Sequence, residues 1–413
     1  MIFATLFVSA KSYAGELLTW EDCREEALFR NPDLMSAREK LRQAAADKSI
    51  TMSGLLPQIA TEASGKRSET SPNNPGNSYT YGLSGEQLIF DGFKIASDTA
   101  EASMEVRATG YEYAVTSSDV RLRLRVAFVE LMRANALVEV TESIAARRKQ
   151  NLELVRLLYN AGREHKGSLA QAEADLAEAE LDITEARRSI ELSRRRLLKE
   201  LGRSWFSPLE VQGSLEEKEE YRGEPDFEGM AESTPFLKEL IARKEASRFG
   251  LKSAKADYFF PRVYADGSIG KNDNKILPYE TEWSFGLKFT YPFYEGGKRI
   301  AAIRKADARL EESMADEKSG RDGIIYTLQK TWTDWQNAID AVGVKHKLLK
   351  ASVMRAEITQ AEYSNGLALF DNWTIIEDEL SKNKKAYLNS LADTLIAKAY
   401  WIQAAGGTLE DAK

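Results

Sequence analysis

Six landmark residues recur along the chain at a nearly constant spacing. Pro32 pairs with Pro235, Pro57 with Pro261, Gly92 with Gly296, Tyr159 with Tyr363, Gly162 with Gly366 and Gly202 with Gly406; the first offset is 203 residues and the other five are 204. Chance does not keep six ordered landmarks in step over 413 residues. The period is far longer than the roughly 20–50 residues of a solenoid repeat, so the chain reads as one half written twice. The expected divisions are a leader remnant at 1–14, a first repeat at 15–209, a linker at 210–229, a second repeat at 230–407 and a tail at 408–413.

Each half has the same layout. Helical stretches at about 19–53 and about 230–256 come first. A segment opening on proline follows, Leu56 to Gly65 and Phe260 to Ile269, and then a polar loop, Ser68–Ser78 and Gly270–Pro278. Loops this rich in Ser, Asn, Pro and Gly read as exposed turns. The next segment alternates: Trp283, Phe285, Leu287, Phe289 and Tyr291 fall on one face, and Ser284, Gly286, Lys288 and Thr290 on the other. In the first half Tyr79, Tyr81, Leu83, Gln87 and Ile89 oppose Thr80, Gly82, Ser84, Glu86 and Leu88. A period of two over about ten residues, with aromatics near the ends, suits a transmembrane β-strand and equally a half-buried strand of a soluble sheet.

The remainder of each half is long and helical. No proline occurs from Phe93 to Asn160 or from Lys298 to Asn365, and at ~1.5 Å per residue each stretch makes a rod on the order of 100 Å. Ile325, Leu328, Trp332, Trp335, Ile339, Val342, His346, Leu349, Val353 and Ala356 step by threes and fours, a coiled-coil seam in which His346 reads as a packed core residue. Leu169, Ala172, Leu176, Ala179, Ile183, Ala186, Ile190, Ser193 and Leu197 form a second seam, on the return helix. Gly162 and Gly366 suit the left-handed position that ends a helix. Ser168 with Gln171, and Thr374 with Glu377, offer capping boxes for the helices that follow.

Four membrane strands cannot close a barrel, because lipid tolerates no open edge and the smallest membrane barrels need about eight. Copies of the chain must pool their strands, and the rods would then continue the cylinder away from the membrane. At this point the chain resembles the TolC-type outer-membrane efflux factor family. The resemblance rests on Asn31-Pro32-Asp33-Leu34, Leu88-Ile89-Phe90-Asp91-Gly92, Leu158-Tyr159-Asn160-Ala161-Gly162 and Glu362-Tyr363-Ser364-Asn365-Gly366, in that order, and runs from Leu17 to Gly407. It implies a mainly α protein with membrane β: duplicated helical hairpins forming an α-barrel tunnel, plus four strands per protomer in a trimeric twelve-stranded β-barrel. It implies a passive export duct of a tripartite efflux pump or type I secretion system, with a periplasmic adaptor and an inner-membrane pump or ABC exporter as partners. The adaptor would dock at the hairpin tips, around Tyr159, Gly162 and Ser168 and around Tyr363 and Gly366. The periplasmic gate would lie at Phe370, Asp371, Asn372 and Trp373. Asn372 and Ile375 stand where the family often has two aspartates, so Asp371 is the nearest acid, and a helix cap is the competing role for Asp371 or Asn372. Trp283, Phe285, Leu287, Phe289 and Tyr291 would face outer-membrane lipid.

Composition excludes several rivals. A net charge of -7 and a pI near 5.4 are wrong for a nucleic-acid binder. Two histidines and one cysteine, Cys23, are too few for zinc sites or disulfide frameworks. No nucleophile–base pair, phosphate loop or metal cluster points to an enzyme or a cofactor. Residues 1–14 are apolar and end on small residues, like the back half of a secretory signal, although a plain apolar terminus gives the same pattern. The acidic stretch Glu210–Glu228 reads as a solvated linker. The basic run Arg194–Arg196, with Arg187 and Arg188, reads as an exposed helix face or a lumen lining. A soluble periplasmic coiled-coil scaffold or adaptor explains the seams but not the paired alternating segments.

Overall fold

The computed structural model describes residues 16–69, 75–205, 208–216, 223–276 and 279–411. Residues 1–14, expected as a leader remnant, the centres of the expected linker and of the first polar loop, and the last two residues lie outside that range.

The chain folds as two compact units, each drawing on both halves of the sequence. One comprises Met1–Ser36, Ala114–Thr234 and Ile324–Lys413; the other comprises Ala37–Tyr113 and Pro235–Gly323. In chain order the elements are β1 (Glu16–Leu18), α1 (Trp20–Arg30), α2 (Pro32–Ser53), β2 (Gln58–Glu69), β3 (Pro75–Phe90), α3 (Lys94–Asn160), α4 (Lys166–Glu200), β4 (Leu209–Val211), α5 (Phe227–Ser233), α6 (Pro235–Phe259), β5 (Arg262–Asp273), β6 (Glu282–Thr290), α7 (Lys298–Ser364) and α8 (Phe370–Ala404). Helices α3 and α7 are both 67 residues long, and α4 and α8 are both 35.

The short helices at the start of each half break where proline dictates. Pro32 and Pro235 each occupy the first turn of a helix, where a missing N–H costs nothing. Asn31 Oδ1 accepts from the N–H groups of Asp33 (2.9 Å) and Leu34 (3.3 Å), so it caps α2. Its amide donates to the Glu200 carbonyl at 2.8 Å, which joins the Asn-Pro-Asp-Leu motif to the end of α4. Just beyond that end Gly202 has φ +76°, and a Cβ there would lie 2.2 Å from the Arg30 carbonyl oxygen. The motif and the glycine are thus two sides of one joint. Arg203 completes it, donating from Nε to Glu26 (2.7 Å) and from Nη1 to Glu16 (2.6 Å). The parallel ladder of β1 on β4, Glu16 beside Leu209 through Leu18 beside Val211, gave no sequence signal.

The helical seams are only partly where the periodicity puts them. Ala172, Ala179 and Ala186 are buried seven residues apart on α4, as expected of a close coiled-coil approach. On α7 Leu328, Trp332 and Trp335 are buried, and Trp332 stacks edge-on against both Trp335 and Trp401. Farther along, the buried set is Ser352, Ala356, Thr359 and Tyr363, one residue out of step with Val353. His346 is exposed beside Tyr387 instead of packed, which corrects the core reading. In the basic run Arg196 pairs with Glu130, Arg187 with Glu142, and Arg194 with Glu191 and the Leu209 carbonyl.

The second unit holds a four-stranded antiparallel sheet in the order β2-β3-β5-β6. Its register aligns Thr61, Leu83, Ile269 and Trp283 in one row, and Gly85, Gly267 and Phe285 in another on the same face. The rows between align Ala60, Ser84, Ser268 and Ser284, and Gln58, Glu86, Asp266 and Gly286, on the opposite face. One face is therefore mainly apolar and the other mainly polar, with Arg67, Gln87, Lys271 and Asp273 among the polar exceptions on the first and Leu88 and Tyr264 as apolar exceptions on the second. A bulge between Leu88 and Phe90 brings Phe90, not Ile89, opposite Val263. Asp91 then starts α3, accepting from the N–H groups of Lys94 (3.1 Å) and Ile95 (2.7 Å).

Candidate functional site

The two hairpin turns, α3–α4 and α7–α8, are built alike. Arg163 N–H donates to the Leu158 carbonyl (2.8 Å) and Gly162 N–H to the Tyr159 carbonyl (2.9 Å); Leu367 and Gly366 repeat the pattern with Glu362 (2.8 Å) and Tyr363 (3.0 Å). This double bond pair satisfies the orphan carbonyls of a helix end and requires left-handed φ, which Gly162 (+67°) and Gly366 (+78°) supply.

The helices that leave these turns start earlier than expected. His165, not Ser168, caps α4: its Nδ1 accepts from Ser168 N–H at 3.2 Å. Helix α8 starts at Phe370 after Leu369, which makes no side-chain cap bond. Thr374 lies within α8, and neither Asp371 nor Asn372 is a cap. Asp371 is an exposed first-turn acid, favoured there by the helix dipole.

One acid ties the two turns together. Glu164 accepts from the Tyr363 hydroxyl (2.8 Å), the Ser168 hydroxyl (2.9 Å) and the His165 N–H (3.0 Å). Burial alone would raise its carboxyl, but these three donors outweigh burial and hold it below the usual range. Burial, and then Glu164, push the Tyr363 hydroxyl well up. Tyr363 stacks on Trp373 with ring centroids 4.3 Å apart, inside a core with Leu152, Val155 and Ala172. Tyr363 and Ser168 are therefore internal fasteners, not exposed docking side chains. Trp373, 2% exposed, is likewise buried inside the protomer, whereas Asp371 and Asn372 are exposed and Phe370 is half-buried.

Because the Glu164 carboxyl is lowered in the folded state, its contribution is fully present above the unfolded value of about 4.3 and is lost as pH falls through the lower folded one. Tyr363→Phe is expected to cost about 1 kcal/mol at neutral pH. Unfolding titrations of parent and variant should converge as pH falls through the lowered folded value of Glu164; a pH-independent gap would mean the hydroxyl acts elsewhere.

Beneath the turns lies a buried ion pair. Arg147 meets Glu377 through Nε (2.6 Å) and Nη2 (2.7 Å), and Asn151 Nδ2 donates to Glu377 at 3.1 Å. Arg148 pairs with Asp378 beside it. Sequence gave no hint of this α3–α8 link, since the partners are 230 residues apart.

The sheet supplies the other functional surface. Trp283, Phe285, Leu287 and Phe289 are 69–77% exposed and Tyr291 44%. An exposed apolar face of this extent marks an interaction surface, for membrane or for another protein. Among the described residues no helix is long and apolar enough to cross a membrane, and no cluster of acids, histidines or cysteine could hold a metal.

The sequence profile of the outer membrane efflux protein family matches residues 23–203 and 230–407. The chain belongs to that family. Membership makes it an outer-membrane efflux channel component. It is 20% identical to outer membrane efflux protein BepC of Brucella suis over 98% of this chain and 91% of BepC. It is 24% identical to outer membrane protein OprJ of Pseudomonas aeruginosa over 45% of this chain, a match that spans only 41% of OprJ. Among solved structures, CusC, described in terms of folding and transmembrane channel formation, superimposes with a TM-score of 0.86 at 17% identity, covering 97% of this chain and 96% of CusC. That likeness shows the fold.

Proposed function

We propose that three copies of this chain form a passive exit duct through the outer membrane, serving a tripartite efflux pump or a type I secretion system whose inner-membrane partner supplies the energy. The observation that carries this reading is the four-stranded sheet: a mainly apolar exposed face, a mainly polar opposite face, and two outer strands, β2 and β6, that have no partner among the described residues on their far sides. Joining β2 of one protomer to β6 of the next in a ring of three gives twelve strands with apolar residues outward, which removes every edge. The paired hairpins then wall a helical tunnel. In this reading residues 15–209 and 230–407 are the repeats, 210–229 is an equatorial linker, and 1–14 is a leader. The soluble-scaffold alternative leaves the apolar sheet face unexplained.

The adaptor docks on the exposed parts of the tips, Tyr159, Gly162 and Gly366. Gly366→Val adds a Cβ at a left-handed position, 2.9 Å from the Arg163 guanidinium. It should lower adaptor recovery in pull-downs from membranes while the trimer survives; recovery equal to the parent's would move docking elsewhere.

Asp371 forms the gate ring, three carboxylates about one axis, attracting cations over a range of ~8–10 Å set by salt. Asp371→Asn is expected to reduce cation selectivity in planar bilayers and to leave melting nearly unchanged, because Asp371 makes no cap bond. Unchanged selectivity would leave Phe370 or Asn372 as the constriction.

A further inference from the structure

Phe93 is the one non-glycine among the described residues with a left-handed backbone, φ +67°. A bulky L-residue there is strained. The duplicated turn in the second half has Gly296 (φ +60°) and Gly297 (φ +84°) where the first half has Gly92 (φ +70°) and Phe93. Glycine makes the same turn without strain, so what Phe93 adds is its ring. That ring is 72% exposed. It meets Phe90 edge-on at 6.2 Å, and Phe90 meets Phe260 edge-on at 6.0 Å. Phe90 shares a row with Val263 and Phe289 on the apolar face of the sheet, so Phe93 carries that face past the last strand pair. Phe293 and Tyr294, after β6, are more than four-fifths exposed at the same end.

We propose that Phe93 is a lipid anchor that seats the helix-side end of the sheet at the acyl–headgroup boundary of the outer membrane. Its occupant is lipid because the surface is continuous with the apolar sheet face, and aromatic rings favour that boundary, where an apolar body meets a polar layer. The inference rests on the sheet face being lipid-facing, and its test separates the two.

The experiment attaches a bimane fluorophore to Phe93→Cys, with Phe285→Cys as the reference, in trimers reconstituted into phosphatidylethanolamine vesicles. Cys23 is buried and its thiol is pushed up to about 12, so it stays unlabelled. Lipids bearing a nitroxide at the headgroup boundary should quench position 93 more than lipids bearing it at the chain end, and position 285 should show the reverse order. Quenching of position 93 by aqueous iodide alone, or by nothing, overturns the anchor while position 285 still reports lipid. Loss of lipid quenching at both positions overturns the barrel reading itself. In a second arm, Phe93→Gly should melt in detergent no lower than the parent yet insert into vesicles less completely. Insertion equal to the parent's overturns the anchor.

Discussion

Arg147→Ala is expected to lower the free energy of unfolding by about 3–5 kcal/mol, the cost of leaving a buried charge without its partner. The variant strands the Glu377 carboxylate, 2% exposed, with only the Asn151 amide still donating to it. The loss comes from that uncompensated burial, not from the strength of the bond. Replacing both partners with apolar residues of similar reach, Arg147→Met with Glu377→Leu, should therefore recover most of it. Denaturant unfolding of the detergent-extracted protein reads both. A single variant within about 1 kcal/mol of the parent, the level of an exposed pair, would show that water reaches the pair.

Phe285→Arg is the second large effect, about 2–4 kcal/mol if the residue sits near the bilayer midplane. Phe285 lies mid-strand on β6, 74% exposed, opposite Gly267. A guanidinium there must enter hydrocarbon or drag water in. Ser284→Arg, one residue away on the polar face, should insert into the outer membrane with the parent's yield, since successive side chains point to opposite faces. If the two variants exchange behaviour, the face is assigned backwards, because a register slip of one residue inverts every side chain.

Much of this architecture is legible in the sequence because it is local or periodic. Proline at the first turn of α2 and α6, proline-free runs for α3 and α7, and glycines at left-handed turns each act within a few residues. The alternation of β6 survives because one face is uniformly apolar. What failed was equally specific. His165 seldom caps helices, so Ser168 drew the assignment away from it. Helix α8 has no capping side chain at all, which leaves no start signal to read. The β1–β4 ladder is three residues long and pairs segments about half a chain apart. Among 64 acids and 57 Lys and Arg, nothing local marks Arg147 and Glu377 as partners. The burial of Trp373, a candidate for an apolar constriction with Phe370, is hidden for the same reason: its stacking partner Tyr363 lies on another helix.

The closure of three open sheets into one barrel is tested most directly by cysteine pairs across their outer strands. Within one chain β2 and β6 are the opposite edges of the sheet. A disulfide between their midpoints must therefore join neighbouring copies. Cysteines placed at successive positions of β2 and β6, oxidised in intact outer membranes, should give covalent species of two and three chains at one register and nothing larger. Species that stop at two chains, extend beyond three or never exceed one would contradict the trimeric barrel.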